Sequence, residues 1–308
     1  MTVGTAHTAA GRRLVVTRSI ARCAVLVASV LGGSAAIGAA LVLLDDFAGT
    51  VINPARFEGD EGRQYGASRM ESKRGVATGQ LVLEAKAYSD QYSNTGVATS
   101  RNSVVLVKST AVTDLRATFT MASATTLGCT ANASPARAGG RLFGFFFNAG
   151  YPTPGSEYND VFAGIQVFRL SNSADAAGVL RVTGYIGVCT DDSCIGSTTL
   201  SSVDLGTTTL NTPIALQVSW DKANHRFSYQ RDAQTAVLLP YTVSDVMPPQ
   251  YAAKRIEVSN QMPSCSAAHA YAYSRATVDN VMTNALPAAP ALPLSVVASP
   301  VALDVDPL

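Results

Sequence analysis

Histidine, tryptophan and glutamate are scarce in this chain: three, one and six among 308 residues. His7, His225 and His269 are scattered along the chain, so a zinc site finds little support beside the cysteines. A single tryptophan excludes a stacking platform built from several indole rings. No Gly-x-Ser-x-Gly elbow, phosphate loop or Gly-x-Gly-x-x-Gly fingerprint occurs, which leaves serine hydrolysis and nucleotide binding unsupported. Charge is also sparse, at 15% charged residues and a formal net charge of +1. Such a surface has little to offer a phosphate backbone or anionic lipid, and no nucleic-acid partner is expected. After residue 44 no stretch shows a convincing helical period.

What the chain does have begins with an export signal. Arg12, Arg13, Arg18 and Arg22 precede Cys23 to Leu44, a stretch free of charge, and Ser34 to Ala40 offers small residues at cleavage-like spacing. The apolar run is about the ~20 residues a bilayer span needs, so residues 1–40 read as a signal peptide or an uncleaved signal anchor. Membrane attachment is expected only through that segment. Arg12-Arg13 loosely matches a twin-arginine signal. Without the four arginines, 19 basic residues face 22 acidic ones and the net charge is −3. The expected location is secreted, periplasmic or cell-surface.

Residues 41–285 read as one all-β domain. Ile214, Leu216, Val218 and Trp220 alternate with Ala215, Gln217 and Ser219, a period of two that sends four apolar side chains to one face. Asp221 to Asn224 supplies a turn, and Phe227 and Tyr229 resume the alternation. Leu115, Ala117, Phe119 and Met121 repeat the pattern. Leu142 to Phe147 is apolar on both faces, as a central strand would be. About a dozen such strands predict a two-sheet antiparallel sandwich. Val51 to Lys73 reads as irregular and polar, and residues 286–308 as a disordered Pro/Ala-rich tail.

Four cysteines follow the signal segment, and an even number in an exported chain implies disulfides. Cys189-Thr-Asp-Asp-Ser-Cys194 would close a tight loop at a hairpin tip, leaving Cys129 to pair with Cys265. Trp220, at the end of its strand on the apolar face, reads as core, and His225 as an exposed turn residue.

Asp45-Asp46-Phe47, Gly79-Gln80-Leu81-Val82-Leu83, Val218-Ser219-Trp220-Asp221 with Phe227, and Val278-Asp279-Asn280-Val281 together resemble the concanavalin A-like lectin/glucanase superfamily. That superfamily includes laminin G-like modules and laminarinase-type glucanases. The resemblance implies a jelly roll whose first and last strands lie side by side, bringing Asp45 and Asp46 near Asp279 as a candidate calcium site. Asp191 and Asp192 in the cysteine loop are a second carboxylate pair, and calcium would need six to eight oxygens. No other cofactor is implied.

Retaining glucanases of this fold carry a Glu-x-Asp-x-x-Glu strand, since that chemistry needs two carboxyl groups about 5–5.5 Å apart. The chain lacks the motif. Glu157 and Asp160, near Tyr151 and Tyr158, are the best remaining acid pair, and a solvated loop is their alternative reading. His269, Tyr271, Tyr273 and Arg275 share one strand face and form a candidate sugar platform, or else an outward polar row. The sequence therefore favours a non-catalytic glycan-binding or cell-surface interaction module, with a polysaccharide or cell-surface glycan as partner. A divergent glycoside hydrolase or polysaccharide lyase is the alternative, and a structural extracellular protein the third.

Overall fold

A computed structural model describes residues 40–64 and 67–286, with the backbone alone at 61–64, 67 and 68. The expected signal helix and C-terminal tail lie outside the described residues. No helix among those residues is long and apolar enough to cross a membrane.

Among the described residues, fifteen strands form two antiparallel sheets. The first has the order β13 (Val237–Pro240), β12 (Arg226–Arg231), β11 (Pro213–Asp221), β6 (Asp114–Leu127), β15 (Tyr271–Thr283), β4 (Gln80–Ser89) and β3 (Ala67–Ala77). The short β1 (Val42–Asp45) pairs with the end of β15, Asp45 opposite Val281, so the first and last strands do lie together. The second sheet runs β10 (Ser197–Thr209), β9 (Val179–Cys189), β8 (Asp160–Leu170), β7 (Arg137–Asn148), β14 (Lys254–Pro263), β5 (Val97–Leu106) and β2 (Phe57–Gln64). This is the all-β two-sheet sandwich the alternation predicts, with the jelly-roll arrangement the resemblance implies.

The alternating stretch from Ile214 to Tyr229 forms the hairpin of β11 and β12, joined by a 3₁₀ turn at Lys222–Asn224, with Val218 opposite Tyr229 and Trp220 opposite Phe227. Ile214, Leu216 and Val218 are fully buried, as are Leu115, Ala117, Phe119 and Met121 on the adjoining β6. They meet Leu142, Ile165, Val167, Val182, Ile256 and Val258 of the second sheet in one contiguous core. Removing this much apolar surface from water is the main force holding the sheets together. Trp220 is only half-buried. It stacks on Phe147 at 5.3 Å and donates its indole N–H to the Tyr241 hydroxyl at 2.7 Å, sealing one margin of the core. His225 is indeed an exposed turn residue, with left-handed backbone and a 3.0 Å contact to Asp245.

Val51 to Lys73 departs from expectation, because β2 and the first half of β3 fall within it. Both are edge strands, β2 paired with β5 and β3 with β4, and polar side chains bind this margin together. Arg74 Nη1 donates to Asn102 Oδ1 at 2.8 Å, and the Asn102 amide donates to the Lys73 and Glu84 carbonyls, tying the two sheets at that margin. An edge strand needs no apolar alternation, so the hydrophobic period is silent there. Both expected disulfides form, Cys129–Cys265 and Cys189–Cys194.

Candidate functional site

The outer face of the second sheet carries a cleft of about 750 Å³. The alternation of β7 builds its centre: Ala138, Gly140 and Leu142 point to the core, so Arg137, Arg141 and Phe143 point outward. From β14, Arg255, Ser259 and Gln261 join them, with Arg101 from β5, Gln166 from β8, and Thr183 and Tyr185 from β9. Tyr185 lies across Gly164, where a Cβ would come within 2.7 Å of its hydroxyl, so only glycine leaves room for the ring. Its backbone carbonyl accepts the Tyr229 hydroxyl at 2.6 Å from the other sheet, which anchors the cleft to the core.

Glu157 and Asp204 line the cleft, and two further carboxylates, Glu257 and Asp60, pair with its arginines. Glu257, 0% exposed, accepts Arg141 Nε at 2.5 Å, and Arg141 Nη1 donates to the Tyr185 hydroxyl at 2.9 Å. Burial works against the charged Arg141 guanidinium, yet Glu257 and then Tyr185 outweigh it and raise its pKa. Asp60 serves two cations, Arg101 at 3.1 Å and Arg255 Nε at 3.6 Å. Arg137 has no carboxylate at ion-pairing distance among the described residues and reaches only the Gln166 carbonyl oxygen, at 3.4 Å. Burial first, and the neighbouring Arg141 second, push the Arg137 pKa down. Phe143 supplies an aromatic wall, with the Arg141 guanidinium 4.8 Å from its ring centre.

The cleft margin is a stapled pair of loops. Glu157 lines it from the loop before β8, its N–H bonded to the Asp192 carbonyl at 2.8 Å, while Ser156 donates to Asp192 Oδ1 at 2.6 Å. The Cys189–Cys194 bond closes the loop holding Asp192. Burial raises the Glu157 pKa, opposed by Arg255. Glu157 lies within 4.8 Å of both Cys189 and Cys194 sulfurs, but a disulfide offers no thiolate for a metal.

The sequence-predicted residues separate. Of the acid pair only Glu157 lines the cleft. Asp160 is 0% exposed and accepts from Asn148 Nδ2 and from the Gln250 and Tyr251 backbone N–H groups at 2.8–3.0 Å, a structural bracket for the loop ahead of β14. Tyr151 and Tyr158 are exposed on the loop outside the cleft. His269, Tyr271, Tyr273 and Arg275 share a face as expected, but it is the outer face of the first sheet, on the opposite side of the sandwich. There Tyr273 donates to Glu84 at 3.2 Å, Arg275 lies 3.8 Å from Glu84, and Tyr271 packs on Tyr88 at 5.0 Å. Asp45 is occupied by the Phe47 N–H and by Arg56 at 3.1 Å, while Asp46 and Asp279 accept from the Ala48 and Asn280 N–H groups. In the cysteine loop, Asp191 accepts the N–H groups of Ser193, Ile195 and Gly196, which lower its pKa with Gly196 first. The sequence reading missed Arg101, Arg137, Arg141, Tyr185 and Arg255.

No protein-family model and no curated protein matches the chain. Solved structures do. The catalytic domain of an endo-1,3-β-glucanase (laminarinase) from Thermotoga petrophila is similar at 12% identity and a TM-score of 0.44, over 80% of this chain and 98% of that one. LamAcat from Zobellia galactanivorans is similar at 11% identity and a TM-score of 0.40, over 79% and 96%. A β-glucanase from Bacillus licheniformis is similar at 12% identity and a TM-score of 0.35, over 79% and 98%. Likeness this distant transfers no residue roles, so the roles assigned below rest on this chain's own geometry.

Proposed function

We propose that the protein is an exported glycan-binding module and that the arginine-lined cleft of the second sheet is its binding site. One observation carries this reading: an open groove on a rigid sheet combines an aromatic side chain, Tyr185, with a lattice of hydrogen-bonding side chains, Gln166, Thr183, Ser259 and Gln261. Sugar rings need both, a flat apolar face to stack on and donors and acceptors placed for hydroxyls. Two disulfides fit an oxidising compartment. A glycan array on the full chain, repeated with Tyr185→Ala and Tyr271→Ala, tests the site. Signal should vanish in the first variant and persist in the second. The reverse pattern would move the site to the other sheet, and a silent array would favour a structural extracellular role.

A second reading, a polysaccharide lyase, is favoured by the Arg141–Tyr185 contact. A phenol oxygen held by a guanidinium beside Gln166 is a candidate proton-transfer group. Hydrolysis by an acid pair is less favoured, because Glu257 is committed to Arg141 and Glu157 stands on the margin. Growth of ultraviolet absorbance from an unsaturated sugar product, abolished by Tyr185→Phe, would establish the lyase.

A further inference from the structure

We infer that the cleft takes an acidic polysaccharide, its sugar units bearing carboxylate or sulfate, with the anion seated on Arg137 and Arg255. This deepens the binding reading above and rests on it. Four guanidinium groups line the cleft with the carboxylates of Glu157 and Asp204, and two further carboxylates, Asp60 and Glu257, pair with three of the arginines. Among the described residues Arg137 is the cleft arginine with no carboxylate at ion-pairing distance, and it is part-buried beside the cation of Arg141. A cation in that position costs free energy unless an anion joins it, so the empty partner position is a recognition element.

Arg255 supplies the independent observation. Its side chain is more than nine-tenths buried, and its Nε–H finds no hydrogen-bond acceptor, the Asp60 oxygen at 3.6 Å being too distant. Buried donors are nearly always satisfied, and an oxygen brought by a ligand would satisfy this one. The guanidinium fork matches a planar carboxylate or a sulfate better than any neutral hydroxyl. Glu157 stands near Arg255 on the margin and repels stray anions, which favours a polymer held by ring stacking as well as charge over a free ion. After loss of the signal segment the chain is net acidic, so general attraction to polyanions is not the cause.

Titration calorimetry on the full chain, with five probes, tests the inference: polygalacturonate, the same polymer methyl-esterified, dextran sulfate, a neutral β-glucan and sodium acetate. Polygalacturonate or dextran sulfate should bind, and which of them does identifies the anion. The ester and the neutral glucan should bind at least about tenfold more weakly, the scale of a lost charged hydrogen bond. Arg137→Gln should weaken the acidic polymer by about tenfold or more and leave the ester unchanged, while Arg275→Gln on the far sheet changes neither. Arg137→Lys, keeping the charge without the fork, should recover part of the loss and guards against a folding defect in the glutamine variant.

Equal binding of ester, neutral glucan and acid would overturn the acidic class while leaving the glycan cleft standing. Loss in Arg275→Gln equal to that in Arg137→Gln, or acetate matching the polymers, would also overturn it. Binding of none of the polymers would remove both readings together.

Discussion

Replacing Lys254 by methionine should flatten the pH dependence of stability above neutrality. Lys254 is 2% exposed, and its stem runs over Gly144, where a Cβ would lie 2.2 Å from the lysine Cδ. The ammonium donates to the Phe145 carbonyl and lies 4.4 Å from the Phe146 ring centre, with no carboxylate within ion-pairing distance among the described residues. Burial draws its pKa from 10.5 to about 7. In the unfolded chain the group keeps its ordinary value. Between those two values the unfolded chain holds about one more proton than the folded one, so stability rises as pH rises through the window. Below the folded value the folded protein must carry the buried charge, and the whole penalty is present. At ~1.36 kcal/mol per unit, the gain from about pH 7 to about pH 9 is ~2 kcal/mol, or roughly 4–8 °C in melting temperature for a domain of this size. Methionine fills similar space without the charge and should lose that slope. Urea denaturation of both forms across the window, with Cys23 alkylated so that no thiol starts disulfide exchange, measures it. Parallel curves for the two proteins would refute the reasoning, because they would show that Lys254 keeps an ordinary affinity for its proton in the fold.

Asp160→Ala should cost about 3 kcal/mol in chemical denaturation, since it strands two backbone N–H groups and the Asn148 amide. The folded variant should still bind glycan, and loss of binding at unchanged stability would return Asp160 to the site. Removing Cys129–Cys265, whose partners are 136 residues apart, should cost about 5 kcal/mol by the loop-closure relation. The five-residue separation of Cys189–Cys194 implies about 2 kcal/mol. The order of the two melting temperatures checks the relation, and a larger loss from the short loop would contradict it.

The sandwich was legible because burial imposes a period of two on every strand with one covered face. Ile214 to Trp220 and Leu115 to Met121 show it without interruption, and the disulfide pairing followed from counting. Edge strand β2 was invisible for the same reason: it pairs with β5 on one side, and its Asp60 is reached by Arg74 and Arg101, contacts that no hydropathy pattern announces. The acid pair failed differently. Glu157 and Asp160 are three residues apart, yet the first residue of β8 turns its carboxylate inward to two backbone N–H groups while the loop keeps Glu157 on the margin. Adjacency in sequence said nothing about which way each would face.

The cleft had a signal that apolar alternation passes over. On β14, Arg255, Glu257, Ser259 and Gln261 are polar at every second position while Ile256, Val258 and Met262 are fully buried. On β7, Arg137 and Arg141 stand on the same face four residues apart, in the strand whose later half is almost wholly aromatic. Both strands lie near the middle of their sheet, with neighbours on either side. A central strand can leave one face to water, but a wide flat polar face would be paved with serine and threonine, as much of β10 is. Arginine paired with a fully buried glutamate is a different case. Desolvating both charges is expensive, and the same volume of apolar side chains would hold the sheet at least as well. Stability alone therefore does not account for Arg141 and Glu257, and still less for Arg137, which among the described residues has no carboxylate at ion-pairing distance. Charges kept at a cost on the outer face of a central strand point to the ligand that uses them, and here the guanidinium left without an ion pair among the described residues is that of Arg137.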